Sequence, residues 1–210
     1  MHPTPLRKTL WALASLIVIY AICFFWIDRP VAYWAQHTFA DSTLFSLSHL
    51  VKQVAAPKHW LGLAIIAGII GMVLRWRGKT QAHGWLLFSG SIIVSLVICF
   101  VLKTVLGRYR PIELFEHQRY GFHGFSLQHN LNSSPSGHAT AAFAGLFALS
   151  RLRRKLGLTV LLLLIGVIIA LSRIIETDHF VSDVIFGAYV GMLSVCWVQW
   201  VLKLRRPTAA

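Results

Sequence analysis

The sequence predicts an all-α, polytopic membrane protein with six transmembrane helices and both termini in the cytoplasm. Hydrophobic residues make up 56% of the 210 residues and charged residues only 13%, whereas a soluble domain has about 25% charged residues. The mean hydropathy is +0.65. Uncharged runs long enough to cross a bilayer alternate with short basic segments. We interpret residues 1–210 as a single domain.

Six apolar runs are the candidate spans. They are residues 9–27, 60–74, 82–102, 138–150, 156–172 and 181–202. The first run would be about 28 Å long as a helix, which is enough to cross a bilayer. A cleavable signal peptide is the alternative for this run, but it ends in CFFWIDRP and not in small residues. Residues 28–58 are expected to form a mixed connection that lies partly in the membrane interface.

The distribution of Lys and Arg predicts the orientation of these spans. Twelve of the 20 lie in the N-terminus, in residues 75–81 and 151–155, and in the tail from 203, and eight lie in the alternate loops. The positive-inside rule assigns the denser set to the cytoplasm. We therefore interpret the net charge of +13 as topology and contact with anionic lipid, not as nucleic-acid binding. The loops at 103–137 and 172–180 then share the outer face.

Residues 172–183, SRIIETDHFVSD, concentrate charge in a chain that is otherwise poor in it. His179 and Asp183 are four residues apart and would share one face of a helix. That geometry lets the carboxylate accept from one ring nitrogen and leaves the other nitrogen free to attack. Arg173 adds a cation suited to a phosphate. The structural alternative is an ion pair between Arg173 and Asp183, with His179 incidental.

A second motif, KTVLGRYRP, opens the 103–137 loop. Lys103 and Arg110 are seven residues apart and would face the same way if the third span continued through them. Pro111 disfavours helix at Arg110 and is expected to end the run. The alternative is a basic helix end that reaches into the interface.

The third motif, SSPSGHATAAF, closes the same loop. Ser136 is a candidate N-cap, and Gly137 permits a close approach of the backbone to a ligand. His138 falls in the first turn of an apolar helix, where backbone N–H groups point at an anion. The alternative is a plain turn and helix start, with His138 as a polar residue of the interface.

In this order, K-x6-RP, PSGH and SR-x5-H-x3-D resemble the motifs of the type 2 phosphatidic acid phosphatase superfamily, which also includes class A acid phosphatases and vanadium haloperoxidases. The resemblance covers residues 103–183. Six spans are similar to the membrane branch of bacterial lipid phosphatases. One departure is Ser134, where many relatives carry an aromatic residue.

The resemblance implies a role for each matching residue. His179 would attack phosphorus and form a phosphohistidine, and Asp183 would orient His179. His138 would protonate the leaving oxygen and then activate water. The residues implied to hold the phosphate oxygens are Lys103, Arg110, Ser136, Gly137 and Arg173.

Residue chemistry is consistent with these roles and predicts no cofactor. Three cations can offset a phosphomonoester dianion, and no acidic cluster is present to bind Mg²⁺, so turnover is expected to be independent of metal. The three cysteines each lie in an apolar run and are expected to form neither a disulfide nor a metal site.

The predicted function is therefore hydrolysis of a lipid phosphate in a bacterial-type inner membrane, from the periplasmic or outer face. Candidate substrates are undecaprenyl diphosphate, phosphatidylglycerol phosphate, phosphatidic acid and lipid A phosphates. No nucleic acid and no obligate protein partner is expected. Two alternatives stay open, namely a lipid phosphotransferase of the same superfamily and a non-catalytic binder or transporter of anionic lipid.

Overall fold

The computed structural model describes residues 5–153 and 155–204, and this part of the chain is helical with short connections. The α-helices are α1 (Pro5–Ile22), α2 (Asp28–Phe39), α3 (Thr43–Val54), α4 (Pro57–Trp76), α5 (Ala82–Leu106), α6 (Pro111–His117), α7 (Gly137–Arg153), α8 (Leu156–Ile175) and α9 (Val181–Leu204). A π-helical segment, Cys23–Ile27, joins α1 to α2, and a 3₁₀ turn lies at His129–Leu131. The all-α prediction is confirmed for these residues.

Five stretches within the described ranges are long and apolar enough to cross a membrane. They are Thr9–Phe39, Thr43–Trp76, Ala82–Leu106, Leu156–Ile175 and Val181–Lys203. The predicted fourth span falls in α7, which has only 17 residues. The count of six spans and the placement of both termini in the cytoplasm therefore stay predictions. Several members of the basic set lie outside the described residues, namely Arg154, Arg205, Arg206 and the side chains of Lys8 and Arg153.

The expected mixed connection at 28–58 is wrong in its local structure, because these residues form the helices α2 and α3. Pro30 cannot donate to the carbonyl of Trp26, and the π-helical segment just before it accommodates the irregularity. Pro57 begins α4, where a missing N–H costs little. Both prolines are thus compatible with helix at their positions.

The outer faces of the long helices are apolar. Large aliphatic side chains such as Ile17, Ile66 and Leu164 are exposed on them. Exposed apolar surface on this scale requires a nonaqueous surrounding, and helices satisfy their backbone groups internally in lipid. The protein is accordingly an integral membrane protein.

Helix α7 lies at the centre of the bundle and packs closely against α9. Its buried alanines are Ala139, Ala141, Ala142, Ala144 and Ala148. A Cβ atom added at Gly191 would lie 2.5 Å from the Thr140 carbonyl oxygen and 2.8 Å from the Ala144 nitrogen. Small residues let two helix backbones approach in this way. The close packing brings the first turns of α7 and α9 together, and the Ser136 N–H donates to the Asp183 carbonyl at 2.9 Å.

The chain leaves α5 earlier than the motif spacing predicts. Helix α5 ends at Leu106, and Gly107 has a left-handed φ of +53°. A Cβ atom at Gly107 would lie 1.4 Å from the Gly124 carbonyl oxygen, so only glycine fits this turn. Arg110 is extended, and Pro111 begins α6 instead of ending α5. The condition for a shared helix face of Lys103 and Arg110 is therefore not met, whereas the prediction that Arg110 is not helical is confirmed.

Candidate active site

The three motifs meet in one cavity of about 400 Å³ at one end of the bundle. We call it the site cavity; its lining residues are Lys52, Pro57, Lys103, Arg110, Leu127, His129, Asn132, Gly137, His138, Arg173, Asp178 and His179. The lining includes six of the eight predicted site residues. The other two, Ser136 and Asp183, are fully buried and are not among the lining residues. The prediction that the 103–137 and 172–180 loops lie at the same end is confirmed.

His179 and Asp183 lie near each other, but not on one helix face as predicted. His179 precedes α9, and Asp183 lies in the first turn of that helix, where its Oδ2 accepts the Phe180 N–H at 2.9 Å. A carboxylate in the first turn stabilises a helix start in this way. The His179 Nδ1 and Asp183 Oδ2 atoms are 3.8 Å apart, too far for a hydrogen bond.

Ser133 connects the two residues and was missed from the sequence. Its hydroxyl lies 3.3 Å from His179 Nδ1 and donates to Asp183 Oδ2 at 2.5 Å. The contact with Nδ1 leaves Nε2 of His179 as the ring nitrogen available to a ligand. Ser133 stands next to the PSGH motif, but a serine in such a loop carries no signal that distinguishes it from a turn residue.

Arg108 was also missed from the sequence, although it lies within KTVLGRYRP. It is fully buried and forms ion pairs with Asp28, at 2.7 Å, and with Asp183. Its guanidinium also donates to the hydroxyls of Tyr20 at 3.0 Å and Ser182 at 2.6 Å. Asp28 belongs to the first span and is 80 residues away from Arg108 in sequence. No local pattern predicts that pairing.

Aromatic rings enclose the same guanidinium. The distance from the Arg108 Cζ atom to a ring centroid is 4.6 Å for Phe180 and between 5.2 and 5.8 Å for four further rings. These further rings belong to Tyr20, Phe24, Tyr120 and Phe122. Cation–π attraction and two carboxylates together stabilise a buried positive charge. The Arg108 guanidinium, which pairs with the Asp183 carboxylate, is therefore held in place by ion pairs and by aromatic rings.

Lys103 and Arg110 are held by backbone carbonyls and keep donors for a ligand. The Lys103 ammonium donates to the carbonyls of Asn132 at 2.7 Å and Ser133 at 3.1 Å. Arg110 donates through Nε to His129 at 2.8 Å and through Nη1 to Asp178 at 2.9 Å. A lysine has three donors and an arginine five, so both side chains are oriented without being saturated.

Arg173 is paired, but not with Asp183 as the structural alternative supposed. Its two terminal nitrogens contact the carboxylates of Glu176 and Asp178. Lys52 of α3, which was not predicted as a site residue, lies 2.8 Å from Asp178 and 3.5 Å from Glu176. His49 Nδ1 lies 3.0 Å from Glu176. The cations and acids on this side of the cavity form one network.

The start of α7 supplies the PSGH residues. Gly137 and His138 line the site cavity. Ser136 occupies the N-cap position, but its hydroxyl has no hydrogen-bond partner among the described residues, so the predicted side-chain cap is not formed. His138 Nε2 also lacks a partner within the described ranges. A buried donor or acceptor without a partner is costly unless a ligand or water satisfies it.

The electrostatic surroundings keep His179 neutral. Burial, and next the positive charge of Arg110, hold the pKa of His179 well below its usual value. Burial lowers the pKa of Arg110 to about 10, so this side chain is still a cation at neutral pH. A neutral imidazole beside fixed cations is the protonation state that a nucleophile for phosphorus needs.

The family of this chain follows from a comparison with known proteins. The family model of the PAP2 superfamily matches residues 84–207, which include every residue that lines the site cavity except Lys52 and Pro57. The match covers more than half of the chain. The protein belongs to the PAP2 superfamily.

Curated relatives match this chain over part of their length. A lipid A 1-phosphatase of Rhizobium johnstonii is 30% identical over an alignment of 130 residues. The alignment covers 56% of this chain and 51% of that protein. The lipid A 1-phosphatase of Rhizobium etli is 31% identical over 122 residues, covering 55% of this chain and 50% of that protein. The bacitracin transport permease protein BcrC of Bacillus licheniformis is 26% identical over 62% of this chain and 63% of its own. The chain thus spans about half the length of the Rhizobium proteins.

One solved structure shares the fold along nearly the entire chain. It is the transmembrane PAP2 type phosphatidylglycerolphosphate phosphatase from Bacillus subtilis, with a TM-score of 0.59 and 18% sequence identity. The similarity covers 97% of this chain and 98% of that one. The described helices therefore have the arrangement of a transmembrane PAP2 protein.

Proposed function

We propose that this protein is a membrane lipid phosphatase that hydrolyses a phosphate monoester or the terminal phosphate of a lipid diphosphate. The observation that carries the proposal is the site cavity, where His179 and His138 stand with the cations Lys103, Arg110 and Arg173. Family membership supports it, as do relatives that bear the name lipid A 1-phosphatase. Placed donors and charge are the main source of catalysis in phosphoryl transfer.

In the first half-reaction, Nε2 of His179 attacks phosphorus while the bond from phosphorus to the leaving oxygen breaks. The product is a phosphohistidine and a lipid whose oxygen takes a proton from His138. Ser133 and Asp183, behind Nδ1, hold the ring and stabilise the positive charge that develops on it. The Ser136 hydroxyl and the Gly137 N–H are assigned to the phosphate oxygens with the three cations.

In the second half-reaction, His138 takes a proton from water, and the oxygen of that water attacks phosphorus. The bond between phosphorus and Nε2 breaks, inorganic phosphate leaves, and His179 returns to its neutral state. Microscopic reversibility lets one histidine serve as acid in the first half and as base in the second.

The location of the cavity supports a lipid phosphate as the substrate. The cavity lies at one end of a helix bundle whose sides are apolar, and the polar headgroups of a bilayer lie at the ends of its membrane-spanning helices. We propose the inner membrane as the location and the periplasmic or outer face as the side of the site. A fluorescent-protein fusion at the C-terminus, which is fluorescent only in the cytoplasm, tests the orientation; a dark fusion on a stable, inserted protein would contradict it.

The decisive experiment measures phosphate release by purified protein from four lipids. They are undecaprenyl diphosphate, phosphatidylglycerol phosphate, phosphatidic acid and lipid A phosphate. Both His179→Ala and His138→Ala are expected to lower the rate by at least about 100-fold. His37→Ala is the control, because His37 is exposed and does not line the site cavity. If both site variants release phosphate at the normal rate, the catalytic proposal is wrong.

The same assay separates hydrolysis from transfer and tests the role of metal. With a radioactive terminal phosphate, a hydrolase yields inorganic phosphate, whereas a phosphotransferase yields a second labelled lipid. Activity is expected to persist in EDTA. A loss that Mg²⁺ restores would contradict the proposal of metal-independent turnover.

A further inference from the structure

Lys52 of α3 is the cation of the site cavity that has no part in the mechanism above. Its ammonium lies 2.8 Å from Asp178 Oδ2, and both side chains are about one-third exposed to the cavity. The nearest predicted motif begins 51 residues later at Lys103. Helix α3 thus adds a fourth positive charge to a cavity whose other three cations come from the family motifs.

Lys52 shares the site cavity with His138. Both residues belong to the lining of this one cavity. In the proposed function, His138 protonates the leaving oxygen, which belongs to the lipid part of the substrate. A cation that shares the cavity with His138 is available to the leaving group.

Asp178 occupies a position suited to an anionic oxygen. One of its atoms, Oδ2, contacts both the Lys52 ammonium and the Arg173 guanidinium. Its side chain is partly exposed, unlike that of Glu176, which is buried behind it. A carboxylate held between two cations in a cavity can be exchanged for another anion with little change in charge balance.

We propose that Lys52, together with Arg173, forms a second anion subsite that binds the lipid-proximal phosphate of a lipid diphosphate, and that Asp178 fills this subsite in its absence. The proposal rests on the proposed function for the identity of the leaving group. It predicts that a second phosphate displaces the Asp178 carboxylate from the Lys52 ammonium. Substrates with two linked phosphates then gain a contact that monoesters lack.

Direct binding tests the subsite without turnover. The probes are pyrophosphate and orthophosphate, titrated by calorimetry into His179→Ala protein in nanodiscs of zwitterionic lipid. In that background Lys52→Ala is expected to weaken pyrophosphate binding by about tenfold, because pyrophosphate loses a charge-assisted hydrogen bond from its second phosphate. Orthophosphate has no second phosphate, so its binding should weaken by less than about threefold. Lys52→Arg should restore the preference, because it keeps the charge.

Two more variants test whether the change in binding is specific to the proposed subsite. Asp178→Asn is expected to tighten pyrophosphate binding, because the competing carboxylate is gone. Lys58→Ala is the matched control, since Lys58 is an exposed lysine at the start of α4 that does not line the cavity. It should leave both affinities unchanged. A Lys52→Ala variant that weakens the two probes equally, or a protein that binds neither probe, overturns the subsite.

A kinetic arm separates this proposal from the proposed function. With farnesyl diphosphate and farnesyl phosphate as substrates, Lys52→Ala should raise KM about tenfold more for the diphosphate. Hydrolysis with an unchanged KM ratio refutes the subsite and leaves the phosphatase. A changed binding ratio without hydrolysis of any lipid refutes the phosphatase and leaves the anion subsite. A last comparison repeats the titrations in nanodiscs that contain phosphatidylglycerol, with protein that retains Lys52. If the protein then no longer prefers pyrophosphate to orthophosphate, Lys52 binds a neighbouring lipid and the diphosphate assignment is wrong.

Discussion

Arg108 and Arg173 are two buried arginines of the candidate active site, and they have opposite surroundings. Arg108 is completely enclosed by Asp28, Asp183 and aromatic rings. Arg173 is almost as buried as a residue, but its guanidinium lines the site cavity, and one of its partners, Asp178, is partly exposed.

The difference shows how one residue type serves two purposes in a single site. A buried charge whose partners are all fixed orients its neighbours, and its loss leaves uncompensated charge in the core. A charge whose partner can be exchanged is available to a ligand. The exposure of the partner, more than that of the arginine, distinguishes the two cases.

The largest effect is expected when Arg108 is removed. Arg108→Met leaves two buried carboxylates, Asp28 and Asp183, without their cation, and should lower the free energy of unfolding by about 3–5 kcal/mol. Denaturant unfolding in detergent measures it. Arg119→Met, at an exposed arginine 3.8 Å from Glu113, is the control and should cost less than about 1 kcal/mol. If both variants lower the free energy of unfolding equally, the loss is not specific to the enclosed arginine and the comparison fails.

Removal of Arg173 should affect activity far more than stability. Arg173→Met is expected to lower kcat/KM by about 100-fold, because a charge that stabilises the transition state is lost. Glu176 retains His49 and Lys52 as partners, so the free energy of unfolding should fall by less than for Arg108→Met. The measurements are phosphate release and denaturant unfolding of the same preparation. If Arg173→Met lowers the free energy of unfolding as much as Arg108→Met does, Arg173 has a structural role like that of Arg108.

Substitution of Ser133 tests how Asp183 acts on His179, the proposed nucleophile. Ser133→Ala removes the hydroxyl between His179 and Asp183 and should lower kcat by about tenfold with little change in KM. Ser134→Ala is the matched control, because this neighbouring buried serine contacts Tyr20 at 3.2 Å and not the His–Asp pair. If the control lowers kcat as much as Ser133→Ala, the effect comes from loop packing.

The smallest expected effect is a dependence of stability on pH. The pKa of His179 is depressed in the folded protein, so the unfolded chain takes up the proton first as the pH falls below about 6.5. Stability from this group is present above that pH and is lost toward lower pH, by at most about 1.4 kcal/mol per pH unit. His179→Gln should reduce this slope in unfolding measured between pH 6.5 and 5.5. An unchanged slope would mean that other groups cause it.

Much of the site is predictable because phosphoryl transfer needs particular residue types, and the family motifs place those types in a recognisable order. Six predicted residues line one cavity, and the helical class follows from composition and run length. The local geometry was less predictable. Gly107 ends α5 before Arg110, and His179 precedes α9, so neither helical spacing applies even though both pairs reach the site. Ser136 stands at a helix start without capping it through its side chain.

The sequence alone determined the membrane class and the candidate site residues, because the length of an apolar run and the residues of a motif can be recognised locally. The tertiary structure alone decided that Arg108 pairs with Asp28, 80 residues away, and that Ser133 reaches Asp183, 50 residues away. It also brought Lys52 and Asp178 together. The partner of a buried charge depends on which helices pack against each other. Close contacts such as the one at Gly191 set that packing across the whole bundle.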